Sequence, residues 1–197
     1  MPFWSENFGE RDSGLKDPKR QFRFKVEFTG VQNPSGGPIM WYAKSATKPS
    51  FSVNSAEHVY LNHKFYYPGA VTWNDVSVVL VDPRDPDAAA TLSDIVEISG
   101  YKPPSNPDSL GTMSKAKAAG ALGSVNIIQI DGDGKEIEKW SLHNAFISDL
   151  KYGDLAYGND DLVELTVQFK YDWAELDSKG GPSRALYGSQ GSLFFKQ

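Results

Sequence analysis

The chain has 197 residues, no cysteine, 25 Asp and Glu against 20 Lys and Arg, and a net charge of -5. A chain of this length buries about 70 % of the surface that its unfolded form would expose, so it can form one core without disulfides or cysteine-ligated zinc. The acidic balance argues against a sequence-independent nucleic-acid binder, which carries a basic excess.

The first residues, Met1-Pro2-Phe3-Trp4-Ser5-Glu6, lead into charges instead of an apolar run, and no stretch approaches the roughly 20 apolar residues of a membrane span. The expectation is a soluble protein made in a cytosol. An aromatic content of 13 % with 18 glycines fits an all-β chain with many turns. Residues 1–19 place Phe3, Trp4 and Phe8 among polar residues without a period. The pattern fits equally a frayed terminus and an arm that orders on a neighbouring subunit.

From Gln21 to Thr29, Phe22, Phe24, Val26 and Phe28 fall on one face and Arg23, Lys25 and Glu27 on the other, the period of a half-buried strand. Residues 30–38 read as a turn, and 39–45 as the returning strand. Ala46-Thr47-Lys48-Pro49 interrupts pairing, because proline supplies no backbone donor. Residues 51–59 and 61–67 surround the polar centre Asn54-Ser55-Ala56-Glu57-His58, which suits either a protruding hairpin or an extended loop. Pro68-Gly69 reads as a turn and Thr72–Val81 as one strand.

Asp87 is placed to cap a helix over about 88–99, in which Leu92, Ile95, Val96 and Ser99 recur at helical spacing before Gly100. Residues 101–121 read mostly as loop with room for one short helical turn. Asp131-Gly132-Asp133-Gly134 marks a β-hairpin between 124–130 and 135–142. Residues 144–150 form a connection, and 152–159 a glycine-punctuated turn.

The clearest strand is 160–173, with Val163, Leu165, Val167, Phe169, Tyr171 and Trp173 on a dry face and Glu164, Thr166, Gln168, Lys170 and Asp172 on a wet one. One wet face implies antiparallel pairing. The Gly/Ser-rich segment 178–197 ends in Leu193-Phe194-Phe195, which suits addition to a partner's open sheet edge. The organisation is thus an N-terminal arm (1–19), a β domain (20–177) and a C-terminal arm (178–197). The fold class is mainly β, an antiparallel β-sandwich or partly open barrel with one flanking α-helix.

Sites for catalysis, cofactor or metal are not found. Asp131-Gly132-Asp133-Gly134 resembles the start of a calcium loop, yet the acidic residue needed at position twelve is missing whether the count begins at Gln129 or Asp131. His58, His63 and His143 lack zinc-motif companions. Ser141 and His143 share a strand face without an orienting third group or an oxyanion hole. There is no Gly-x-Gly-x-x-Gly turn and no P-loop. Long two-faced strands with open edges and apolar-tipped arms instead describe a subunit that assembles, since closure with copies of itself removes those edges.

The chain resembles the tail tube proteins of contractile-tailed bacteriophages. The resemblance rests on Phe22–Phe28 followed by Ala43-Lys44-Ser45-Ala46-Thr47-Lys48-Pro49, on Val71-Thr72-Trp73-Asn74-Asp75-Val76-Ser77-Val78, and on Gly153-Asp154-Leu155 through Asn159-Asp160 to Val167–Trp173. It covers roughly residues 20–176. The longer 101–121 region and the C-terminal arm depart from it.

The resemblance implies a structural virion protein and not an enzyme. Six subunits would close into a ring, their sheets joined as a barrel around an open channel, and rings would stack inside a tail sheath as the conduit for DNA. The partners it implies are copies of the chain, the sheath protein, and baseplate and tail-terminator proteins. The protein would reside in the virion after synthesis in the host bacterial cytoplasm. A baseplate tube initiator or tail-completion protein is the alternative with the same fold. A monomeric ligand-binding β-barrel is the alternative from another class.

Overall fold

The computed structural model describes residues 19–32, 38–40, 43–84, 87–102, 104, 111–158, 160–178 and 193–194. Its elements in chain order are β1 (Phe24–Gln32), β2 (Pro38–Met40), β3 (Ala43–Ala46), β4 (Phe51–Tyr60), β5 (His63–Trp73), β6 (Val76–Val81), α1 (Ala88–Ile98), α2 (Lys115–Leu122), β7 (Val125–Ile130), β8 (Glu136–His143), β9 (Phe146–Lys151), β10 (Glu164–Lys170), β11 (Trp173–Ser178) and β12 (Leu193–Phe194). A six-stranded sheet has the order β12-β11-β8-β7-β1-β2, and a four-stranded sheet the order β3-β6-β10-β9. β4 and β5 form a separate two-stranded hairpin. The strand pairs are antiparallel.

The core is built from alternate residues of both sheets. Val26 and Phe28 of β1, Val125 and Ile127 of β7, and Leu142 of β8 meet Val76, Val78 and Leu80 of β6 and Leu165, Val167 and Phe169 of β10. The Phe28 and Phe169 rings cross with centroids 5.7 Å apart. Each fully buried Leu or Phe contributes roughly 1.5–3 kcal/mol relative to leaving it exposed, so this layer is a large favourable term in folding. Helix α1 buries Ala88, Leu92 and Ile95, and starts where Asp87 accepts a hydrogen bond from the Ala90 amide at 2.9 Å.

The expected strand over 160–173 is divided between the sheets. β10 ends at Lys170, the Asp172 amide donates to the His143 carbonyl at 3.1 Å, and Trp173 opens β11 in the other sheet. This corner reverses which parity faces inward. Leu165, Val167 and Phe169 are buried before it and Ala174 after it, while Trp173, expected on the dry face, lies 40 % exposed. The returning strand expected over 39–45 is also divided: β2 pairs with β1, and β3 pairs with β6. Residues 41–42 between them lie outside the described residues.

Pro68-Gly69 is not a turn. The strands turn at Leu61 (φ 53°), and Pro68 lies inside β5 where the register with β4 shifts between Val53 and Ser55. The sequence Pro-Gly therefore marks a bulge, a place where a missing donor is tolerated. The expected single strand 72–81 breaks at Asn74-Asp75, ending the hairpin and starting β6. The segment 144–150, expected as a connection, lies mostly within the edge strand β9 (Phe146–Lys151).

A second helix, α2, lies in the region expected mostly as loop, so among the described residues two helices accompany the sheets instead of one. Its Lys-Ala-Lys-Ala-Ala-Gly-Ala-Leu sequence has little amphipathic contrast, but alanine favours helix and Ser114 supplies a cap. The N-terminal arm through residue 18, the loop at 33–37 and the arm over 179–192 lie outside the described residues. Leu193 and Phe194 pair with β11 of their own chain, at Asp177 and Leu176.

Candidate assembly surfaces

The β4–β5 hairpin has a fixed base and an uncovered body. At the base, the Asn74 amide donates to the Ser50 carbonyl at 2.9 Å and Asn74 Nδ2 donates to Ser50 Oγ at 3.0 Å. Thr47 clamps the same junction: its amide donates to the Ser77 carbonyl, and its Oγ1 accepts from the Ser77 amide at 2.8 Å. Phe51, Trp73 and Tyr171 form an aromatic chain from hairpin to core, with centroids 5.2 Å and 5.8 Å apart. Beyond that base every residue from Phe51 to Thr72 is exposed.

Cross-strand partners share a face. Beyond the bulge, the pairs Ala56/Tyr67, His58/Phe65 and Tyr60/His63 therefore give one face rich in aromatic and imidazole rings. His63 and Phe65 meet edge to face at 4.9 Å. The opposite face carries Glu57/Tyr66 and Val59/Lys64, with Lys64 Nζ 2.9 Å from Glu57 Oε1. Two of the three histidines thus belong to an exposed aromatic surface.

A cleft of about 710 Å³ opens beside β3, lined by Phe22, Phe24, Ile127, Trp140, Lys44 and Lys48 among others. At its floor Glu138 is buried and gathers three donors. Lys48 Nζ donates to Glu138 Oε1 at 2.7 Å, Trp140 Nε1 donates to the same oxygen at 2.7 Å, and Lys19 pairs with Oε2. Burial alone would push the Glu138 carboxyl up, but these hydrogen bonds outweigh it and lower it to about 2. Lys48 also donates to Gln129 Oε1, and Gln129 Nε2 to the Arg20 carbonyl.

Between β9 and β10, Leu155, Tyr157 and Leu162 are exposed beside Asp154, Asp160 and Asp161. The start of this loop is held in place. Tyr152 OH lies 2.8 Å from Ser93 Oγ of α1, and Gly153 adopts φ 80° against the Glu164 carbonyl, where a Cβ would stand 2.6 Å from the oxygen.

Asp131 Oδ1 accepts from the Asp133 and Lys135 amides at 2.9 and 2.8 Å, closing a turn with its own backbone. Ser141 pairs across the sheet with Asn126 and Glu175. His143 stacks on Trp173 with centroids 5.0 Å apart and places Nε2 3.4 Å from Glu175 Oε2. Among the described residues no three His, Asp or Glu side chains are grouped to hold a metal, and no helix is long and apolar enough to cross a membrane. The alternation around 138–140 marks a strand, but the meeting of Lys19, Lys48 and Glu138 joins residues too distant in sequence for any motif to show.

No family model matches the chain, and no curated protein sequence matches it. Solved structures do. The chain is similar to a protein in the anti-feeding prophage baseplate, at 13 % identity with a TM-score of 0.60, over 83 % of this chain and 97 % of that one. It is similar to one in the sheath-tube complex of an extracellular contractile injection system, PVC, in the extended state: 13 % identity, TM-score 0.58, 83 % of this chain and 94 % of that one. A protein of the tube-terminating cap of the anti-feeding prophage matches at 11 % identity and TM-score 0.58, over 90 % of this chain and 99 % of that one. The fold is therefore one found in components of contractile injection systems, and none of these neighbours is described as an enzyme.

Proposed function

We propose that this chain is a structural subunit that closes into hexameric rings, which stack into the inner tube of a contractile tail or injection apparatus. The observation that carries this reading is the uncovered hairpin from Phe51 to Trp73, which exposes Val59, Tyr60, Phe65, Tyr66 and Tyr67. A lone two-stranded ribbon is marginal in water at best, and so large an apolar display favours cover by another molecule. The fixed base makes the hairpin a directed arm. The fold shared with a protein of a sheath-tube complex supports a copy of the same chain as its cover.

In the finer form of the proposal the apparatus is a phage tail. Its tube lies within a sheath, between baseplate and terminator proteins, and conducts DNA in the virion. The ordered strand sequence from Phe22 to Trp173 supports that form; the tip of the C-terminal arm, Leu193 and Phe194, pairs with its own β11 and so does not carry the contact between subunits. A single-ring role as initiator, terminator or cap is the second reading, supported by the similarity to the cap protein. A monomeric barrel is disfavoured because the two sheets retain separate edges and the cleft opens to solvent at Phe22.

Size-exclusion mass and negative-stain microscopy of the purified protein test these readings. Tubes of stacked six-fold rings are expected. Isolated rings at all concentrations would assign the single-ring role, and a monomer would overturn the proposal. A variant in which a two-residue turn replaces residues 54–70 is expected to fold and to remain unassembled.

A further inference from the structure

The loop between β9 and β10 and the cleft beside β3 are complementary in both charge and polarity. The loop carries Asp154, Asp160 and Asp161 with no basic residue between Tyr152 and Val163, and its Leu155 is 87 % exposed. In the cleft, Lys19 and Lys48 share the single carboxylate of Glu138, which leaves a cationic surplus beside the apolar surfaces of Phe22, Phe24 and Trp140. The anchoring of Tyr152 and Gly153 aims the knob before any partner arrives, which lowers the entropy cost of docking.

We propose that the knob formed by Asp154, Leu155 and Tyr157 of one copy docks into the cleft formed by Lys19, Phe22, Phe24, Lys48 and Trp140 of the next copy. The inference rests on the reading that the chain assembles with itself. Knob and cleft are different surfaces of one chain, so the contact is head-to-tail. It leaves a free knob at one end of an open string and a free cleft at the other, and closing the string into a ring uses both. Apolar insertion supplies affinity, and opposite charge supplies register and encounter rate.

The absence of cysteine allows a direct test. A disulfide requires Cα atoms within about 7 Å, so it forms only between positions that meet. The variant Tyr157→Cys with Phe22→Cys is expected, once assembled and oxidised, to run as a ladder of covalent multimers on a non-reducing gel. Both positions are exposed, so folding is retained. A double variant that assembles without a ladder overturns this inference and leaves the tube reading standing. A wild-type chain that stays monomeric at every concentration overturns both.

Deletion of residues 1–18 should leave the ladder unchanged. A Phe8→Cys, Phe22→Cys variant that cross-links within one chain would assign the cleft to the N-terminal arm and overturn the docking. As a second measurement, Asp154→Lys with Tyr157→Ala should weaken assembly about tenfold without changing the thermal midpoint of the unassembled chain. Added salt should weaken the assembly of that variant less than that of the wild-type chain. Unchanged assembly would overturn the proposal.

Discussion

The indole of Trp73 packs against the phenol of Tyr171 with ring centroids 5.8 Å apart. The contact joins the last residue of the exposed hairpin to the corner at which the chain leaves the four-stranded sheet for the six-stranded one. Trp73→Ala is expected to lower stability by roughly 2–3 kcal/mol, below the cost for a fully buried Trp because Trp73 is only half-buried. Hydrogen exchange should accelerate along β4 and β5 more than in β6 and β10. Uniform acceleration would show that the hairpin has no anchor of its own.

Tyr171 also predicts an alkaline limit. Burial pushes its phenol up to about 12, with Asp75 adding to the effect and the Ser50 backbone opposing it. The hydroxyl makes no hydrogen bond of good geometry among the described residues. A folded-state value above the unfolded value of 10.0 gives stability that is complete below pH 10 and lost as pH rises through about 12. Tyr171→Phe should change stability at pH 7 by less than about 1 kcal/mol and remove this alkaline component. Denaturant midpoints measured from pH 8 to 12 read both effects.

Glu138 sets the acid limit in the opposite sense. Its folded value of about 2 lies below the ordinary 4.5, so the stability it contributes is present above pH 4.5 and lost as pH falls through about 2. Glu138→Gln should cost roughly 2 kcal/mol at pH 7, because Lys19, Lys48 and the Trp140 indole lose a charged acceptor. The variant should show a flatter acid denaturation curve between pH 4.5 and 2. An unchanged curve would place the acid sensitivity elsewhere.

Gly123 closes α2 with φ 67°, and a Cβ there would stand 2.3 Å from the Gly30 amide nitrogen of β1. Both constraints oppose any side chain, and the obstructing atom is backbone that cannot rotate away. Gly123→Ala is expected to destabilise the chain by roughly 2–4 kcal/mol. Gly134, also at positive φ but with open space around its Cβ position, should cost less on the same substitution. Equal losses at the two sites would show that backbone conformation alone matters.

If the proposed tube conducts DNA, its wall must attract phosphate weakly. On the outer face of β1, Lys25 Nζ lies 3.0 Å from Glu27 Oε1 and 3.3 Å from Glu136 Oε1, so this cation is already paired. Assembled protein is expected to bind duplex DNA negligibly at physiological salt. Tight binding that weakens steeply with added salt would contradict the weak-wall mechanism.

The sequence by itself determined the β class, the half-buried faces of β1 and β10, the helix capped by Asp87 and the Asp131 hairpin turn. Each is written in neighbouring residues: a period of two, a cap before a helical period, or a side chain folding back onto its own backbone. Through the resemblance to tail tubes it also pointed to the fold that solved injection-system components share. Tertiary structure alone decided where an alternating run changes sheet, because Leu165 through Tyr171 keeps one period while the Asp172–His143 bond turns the chain and Trp173 emerges on the outer face.

Likewise, Pro68-Gly69 has the composition of a turn, and only pairing with β4 makes it a bulge. α2 carries too few large apolar residues for its period to stand out, yet it is held where Leu122 enters the core and Gly123 meets Gly30. The cleft was not legible at all. Lys19, Lys48 and Glu138 are brought together by the packing of one sheet on the other, and the physical reason is general: local patterns report which way a side chain faces, whereas contacts between distant segments depend on how whole sheets are stacked.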